Sequence, residues 1–276
     1  MDSKINLTQE ELEKLAEYLQ KNIGIHLESQ KLLRFKRKIE EIFLKHKIES
    51  FSTFYHRLRF LNSETLIQDL TNAVTVNETY FWREHEQFNL LSKEVLPQFI
   101  EASGLKTVRI LVSPCSSGEE LYSIMLSILD TPGLIERLNI EMVGIDIDST
   151  MIQKAKTGLY SKRSVDKLPK HLLEKYFTKV GMLYQVDKSL THAAKFIQIN
   201  IFDEGIQERL GEYDVLFSRN MLIYFNARDK QRCFKTFWSL MKKDAKLFLG
   251  HADANNIDKK LFTPIKNGFH VFRKIA

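Results

Sequence analysis

Val108-Arg109-Ile110-Leu111-Val112 runs into Ser113-Pro114-Cys115-Ser116-Ser117-Gly118 and then into the helical pattern of Glu119 to Leu129. A short apolar run of this kind suits a strand buried on both faces. The loop after it is small and polar, with one glycine. Ile140-Glu141-Met142-Val143-Gly144-Ile145-Asp146 reads as a second strand that ends in an acid. Further strands are predicted at Phe196 to Ile201, Asp214 to Phe217 and Lys246 to Gly250, with a closing pair near Leu261 to Ile265 and Phe269 to Arg273. Strands alternating with helices predict a doubly wound, Rossmann-like α/β sheet, mixed because the last pair runs antiparallel. Residues 176–199 break the alternation. There Met182-Leu183-Tyr184-Gln185-Val186 predicts a small antiparallel insert.

Upstream the period changes to that of helices. Thr8 followed by Glu11 forms a capping box, with Leu7 and Leu12 as its hydrophobic staple. Leu12, Leu15, Leu19 and Ile23 recur at helical spacing, as do Leu32, Leu33, Phe35, Ile39, Ile42 and Phe43. Phe51, Phe54, Tyr55, Leu58 and Leu61 give another stripe, and Leu66 to Val74 another. The expected layout is a helical domain and linker over residues 1–90, then the α/β domain over residues 91–276.

Composition narrows the classes. With 43% hydrophobic and 28% charged residues among 276, the chain is neither disordered nor fibrous. No apolar run approaches the roughly 20 residues that span a bilayer, so membrane insertion is not expected. Met1-Asp2-Ser3-Lys4 has no apolar core behind its charge and does not read as a secretory signal. Two cysteines, Cys115 and Cys233, are too few for a disulfide framework, and a reduced cytoplasmic setting is expected. The formal charge of +6 is localised: residues 31–59 hold nine bases against three acids, and the rest of the chain balances. A basic face of this kind is either a solvated helix surface or a docking surface for an acidic partner.

In a doubly wound sheet, ligands bind outside the carboxyl ends of the strands, where the strand order reverses. The loop 113–119 is neither GxGxxG nor GxxxxGK[ST], so a pyrophosphate site is not indicated. Asp146 stands where an acid can accept hydrogen bonds from both ribose hydroxyls, although it could instead cap the next helix, for which Asp148 also offers itself. Ser218-Arg219-Asn220-Met221-Leu222-Ile223-Tyr224 puts polar groups beside apolar walls, as a pocket requires. The alternative is structural, with Arg219 paired to a carboxylate and Tyr224 packed as core. Thr75 to Glu84 sits at the domain junction and reads as a hinge or a lid. No histidine spacing suits a metal, no G-x-S-x-G elbow is present, and Cys115 has no base beside it.

In order and spacing, six segments resemble the CheR-type chemotaxis receptor methyltransferases, which methylate protein glutamates using S-adenosylmethionine. They are Asn77-Glu78-Thr79-Tyr80-Phe81-Trp82-Arg83-Glu84, Ser116-Ser117-Gly118-Glu119-Glu120-Leu121-Tyr122-Ser123 and Gly144-Ile145-Asp146-Ile147-Asp148, followed by Ala155 to Tyr160, Ser218 to Phe225 and Leu247 to Asp253. The resemblance spans roughly residues 10 to 275. It implies a class I methyltransferase fold with a helical N-terminal domain and a small β-subdomain insert. It implies cofactor contacts at Asn77, Thr79, Arg83, Glu120, Asp146, Asn200, Ile201, Arg219 and Asn220, with S-adenosylhomocysteine as product and no metal. Arg83 and Tyr224 would lie nearest the transferring methyl and the substrate carboxylate.

The partner implied is the cytoplasmic domain of a methyl-accepting chemoreceptor, whose glutamates would meet the basic helix through Arg34, Arg37 and Lys38. The segment departs from the family pattern at Leu121, at Trp82, and at Ala252-Asp253 where Ser-Glu is usual; none removes an implied contact. Lys179-Val180-Gly181-Met182-Leu183 is shorter than the glycine-containing loop of members that dock on a C-terminal pentapeptide, so pentapeptide-independent action is expected. Two other readings compete. A nucleic-acid methyltransferase would grip phosphate with the basic domain, but the sequence lacks a base-pocket motif. A non-catalytic module would bind the cofactor only to regulate a partner.

Overall fold

The computed structural model describes residues 7–27, 29–61, 63–100, 106–266 and 269–275; Met1 to Lys4, read above against a secretory signal, lie outside them. The Glu11 amide donates to Thr8 Oγ1 at 3.3 Å and the Thr8 amide to the Glu11 carboxylate at 2.8 Å, so the capping box opens the helix Gln9–Ile23 as predicted. Leu12, Leu15, Leu19 and Ile23 are buried on one stripe of that helix. They share a cluster with buried residues of the helices Lys36–Lys45, Phe51–Phe60 and Glu64–Val74, where Phe43 stacks on Phe54 at 4.6 Å.

The strands are β1 Lys106–Val112, β2 Leu138–Asp146, β3 Leu159–Ser161, β4 Phe177–Val180, β5 Leu183–Val186, β6 Ala194–Gln198, β7 Tyr213–Ser218, β8 Met241–Leu249, β9 Phe262–Lys266 and β10 Val271–Lys274. Seven form one sheet in the order β6-β2-β1-β7-β8-β10-β9. β6, β2, β1, β7 and β8 are parallel, while β10 runs antiparallel to both β8 and β9. The sheet is therefore mixed, with the antiparallel pair at one edge. The order reverses between β1 and β7, which opens a crevice at their carboxyl ends.

β1 is buried on both faces over Ile110, Leu111 and Val112, as its short apolar run predicts. Val108, Ile110 and Val112 pack with the helix Glu119–Leu129, whereas Leu111 packs with the helix Ala227–Ser239 on the other face. Phe81, Phe88, Leu90 and Leu91 belong to the first of these layers. The last buried member of the helical cluster is Val74. The hydrophobic cores thus part between Val74 and Phe81.

Two elements differ from the prediction. β6 ends at Gln198 rather than Ile201, because Ile199 and Ile201 turn off the sheet edge and bury in the layer beneath it. The small sheet has the order β3-β5-β4, so its third strand comes from before the expected insert. Ala194–Gln198, inside the expected range 176–199, instead pairs with β2, where Phe196 packs against Tyr122. β4 and β5 form a tight hairpin: Val180 pairs with Leu183 across Gly181-Met182, and Gly181 takes the left-handed φ of +60° that such a turn needs.

Candidate active site

The loop after β1 folds back over the strand ends. The Ser113 amide donates to Phe217 O at 2.9 Å and the Cys115 amide to Ile145 O at 2.8 Å. Gly118, at φ +94°, then turns the chain into the helix Glu119–Leu129 without the strain a side chain would meet there. The turn delivers the Ser116 amide to Asp146 Oδ2 at 2.8 Å, while the Asp148 amide donates to Oδ1 at 2.9 Å. Burial pushes the Asp146 carboxyl up to about 6, against the pull of those amides. Asp148 caps the helix Ser149–Thr157, accepting from Thr150 N at 2.9 Å and Met151 N at 3.2 Å, which leaves Asp146 on the pocket wall.

Asp148 also anchors the junction segment. Its Oδ2 accepts from Thr75 Oγ1 at 2.7 Å and from Asn77 Nδ2 at 2.8 Å. Beyond Asn77 the chain is pinned by the Phe81 amide on Ser164 O at 2.9 Å and the Trp82 amide on Ser123 Oγ at 3.0 Å. Trp82 and Glu84 take left-handed φ values of 66° and 51°, which surrounding contacts must impose. Arg83 Nη1 donates to Glu78 O at 3.2 Å, with its guanidinium 5.6 Å from the Tyr80 ring centroid.

Arg219, at the end of β7, is buried and holds several of these parts together. Its Nε donates to Glu120 Oε2 at 3.0 Å, Nη2 to Arg83 O at 2.6 Å and Nη1 to Glu84 O at 3.4 Å. The carboxylate pairing weighed for Arg219 is thus formed, at the pocket wall. Glu120 Oε1 is buried without a hydrogen-bond partner, as is Ser116 Oγ. Burial raises the Glu120 carboxyl, and the Arg219 charge opposes it. Tyr224 follows Asn220 in the same turn; burial raises its phenol, so at neutral pH it keeps its proton as a donor.

On the other wall, Asn200 Nδ2 donates to Asn22 O at 3.0 Å and Asn200 Oδ1 accepts the Phe202 amide at 3.0 Å. The His26 amide donates to Tyr224 O at 2.9 Å. Both bonds tie the α/β domain to the chain at the end of the first helix. Asn77, Thr79, Arg83, Glu120, Asp146, Asn200, Ile201, Arg219, Asn220 and Tyr224 all line one pocket. Ile23, Ile25 and Leu27 of the helical region line it too. Sequence reasoning missed them, since an apolar stripe looks the same whether it faces a core or a ligand. Gln87 was also missed. It donates to Leu249 O and Phe269 O, both at 2.8 Å, and meets Arg219 at 3.5 Å. Cys115 is buried, which raises its thiol well above the usual range, and among the described residues no group of three or more His, Cys, Asp or Glu could hold a metal.

Residues 77–269 match the SAM-binding domain of the CheR methyltransferases, and residues 10–75 match their all-alpha domain. The chain belongs to the CheR methyltransferase family. It is 35% identical over 276 residues to chemotaxis protein methyltransferase 2 of Vibrio cholerae serotype O1, covering 99% of this chain and 93% of that protein. It is 32% identical to a chemotaxis protein methyltransferase of Campylobacter jejuni subsp. jejuni serotype O:2, covering 96% of this chain and 97% of that one. A relative from Borreliella burgdorferi is 29% identical, covering 93% of this chain and 92% of its own. This CheR protein is a methyltransferase of the class I fold, and its cofactor is S-adenosylmethionine. No helix among its described residues is long and apolar enough to cross a membrane.

Proposed function

We propose that this CheR methyltransferase esterifies glutamate side chains on the cytoplasmic helices of chemoreceptors, giving glutamyl methyl esters and S-adenosylhomocysteine, for sensory adaptation. The single observation that carries the reading is that all ten residues implied by resemblance line one pocket at the topological switch point. The donor set fits the cofactor. Asp146 offers a carboxylate to the ribose, and the partnerless Glu120 Oε1 suits the cofactor's ammonium group. Ile201 and Asn200 stand where an adenine would meet an apolar wall and a polar edge. Asn77, Thr79, Arg219 and Asn220 complete the enclosure.

S-adenosylmethionine supplies an electrophilic methyl on a sulfonium. The acceptor carboxylate is already ionised at neutral pH, so the protein need not supply a general base. What remains is placement, which can be worth ~7–11 kcal/mol. In this reading Arg83, half-buried and held by Glu78 O and the Tyr80 ring, orients the incoming carboxylate. Tyr224 donates a hydrogen bond beside it. A looser contact serves better than a tight ion pair, because over-stabilising the ground state slows transfer.

The docking surface fits the same partner. Arg34, Arg37 and Lys38 are exposed. Arg37 pairs with Glu41 at 3.4 Å, an exposed pair worth little. The two-residue turn of the β4–β5 hairpin supports action without a pentapeptide tether, and the setting we infer is cytoplasmic. The test is transfer of label from methyl-labelled S-adenosylmethionine to receptor-rich membranes, followed by mild alkali. Volatile, base-released methanol is the expected result; base-stable label on nucleic acid, or cofactor binding with no labelled acceptor, would overturn it.

A further inference from the structure

Asp253, three residues beyond the glycine that follows β8, has no part in the roles assigned so far. Its side chain is 2% exposed, and among the described residues it forms no ion pair. Its carboxylate faces backbone instead. The Ile223 amide donates to Oδ1 at 3.2 Å. Oδ2 is buried with no completed hydrogen bond. Gly250 makes this approach possible: a Cβ there would stand 3.1 Å from both the Asn220 nitrogen and Asp253 Oδ2.

The turn that presents this amide is short, closed by the Tyr224 amide on Met221 O and the Phe225 amide on Leu222 O, both at 3.1 Å. Leu222–Tyr224 is a single 3-10 turn, and Asn220 before it takes a left-handed φ of 58°. Such backbone persists only where its surroundings impose it. A buried carboxylate without an ion-pair partner is costly unless a donor meets it, and the Ile223 amide is such a donor. Asn220 and Tyr224, the two ends of the turn, line the pocket while Asp253 supports it from behind.

We propose that Asp253 is a positioning residue for methyl transfer, fixing the Asn220–Tyr224 turn by accepting the Ile223 amide. This rests on the reading of that turn as part of the transfer site. The test compares the full chain with Asp253→Asn and Asp253→Glu. Asn keeps the shape but turns an NH2 toward an amide donor; Glu restores the carboxylate and is the residue usual in the family pattern. For Asp253→Asn we expect a fall in kcat of about 10²-fold, as for other small misplacements of reacting groups. KM for receptor should stay near that of the unaltered protein. Amide exchange over residues 220–224 should rise at least about tenfold while exchange elsewhere and the melting temperature hold. Asp253→Glu should recover most of the kcat and slow the exchange again. Unchanged exchange and kcat in Asp253→Asn would overturn the proposal, and so would exchange that rises throughout the chain, which marks a merely structural role. If the unaltered protein methylates no receptor carboxylate, the functional reading fails, yet the local exchange result still decides what Asp253 does.

Discussion

Arg219 reaches Glu120 from inside the protein: Nε and Oε2 are 3.0 Å apart, with the two side chains 1% and 12% exposed. The same guanidinium holds the carbonyls of Arg83 and Glu84. One side chain thereby joins the end of β7, the start of the helix Glu119–Leu129 and the junction segment around the pocket. Arg219→Ala leaves Glu120 buried and uncompensated, a loss of ~3–5 kcal/mol in chemical denaturation. S-adenosylhomocysteine binding should vanish with it. A variant as stable as the unaltered protein would refute the bridging role.

If Asp146 holds the ribose as proposed, it couples cofactor affinity to pH. Its folded value of about 6 lies above the ordinary 3.8, so the fold binds this proton more tightly than the unfolded chain does. The associated stability is present below about pH 4 and is lost as pH rises through 6, by ~3 kcal/mol in all. The cofactor's ribose needs the ionised form, so the sign is opposite for binding. Calorimetric titration with S-adenosylhomocysteine should show affinity rising from pH 5 to 7 and then levelling. Asp146→Asn should bind weakly at every pH. Equal affinity at pH 5 and 7 in the unaltered protein would count against ribose binding here.

Reversing charge at Arg34 and Arg37 should raise KM for receptor about three- to tenfold, and added salt should shrink the difference. Cofactor affinity should not move. Lys38 is a poorer probe, because its Nζ donates to Ala73 O at 3.2 Å and its loss would also disturb the end of the helix Glu64–Val74. Loss of receptor and cofactor binding together would indicate misfolding rather than docking.

Tyr224→Phe keeps the ring on the pocket wall and removes only the hydroxyl. A fall in kcat of about tenfold or more with S-adenosylhomocysteine affinity unchanged is the expected pattern for a group that acts on transfer alone. Arg83→Ala should instead raise KM for receptor as well as lower kcat. Normal turnover in both variants would remove them from the reaction.

The parts most legible in the sequence were those decided locally. The Thr8–Glu11 capping box and the β1–loop–helix unit follow from a few adjacent residues, and both formed as read. Ile199 and Ile201 were misassigned to a strand because an apolar pair beside β6 has the same period whether it continues the sheet or buries beside a pocket. β3 has three residues, too few to leave a pattern, and pairs only because β5 lies alongside. Asp253 drew attention as a departure from a motif, but the amide it accepts lies some thirty residues away and is joined to it by the fold.

The pocket is walled in part by Ile23, Ile25 and Leu27, at and just beyond the end of the first helix. If the basic helix docks the receptor as proposed, the same helical unit also walls the pocket proposed for the cofactor. Grafting another family member's helical unit onto this α/β domain, to redirect it to a different receptor, would exchange that wall at the same stroke. On that reading partner choice and cofactor affinity would be inherited together, and a chimaera would need repair at three apolar side chains before its specificity could be judged.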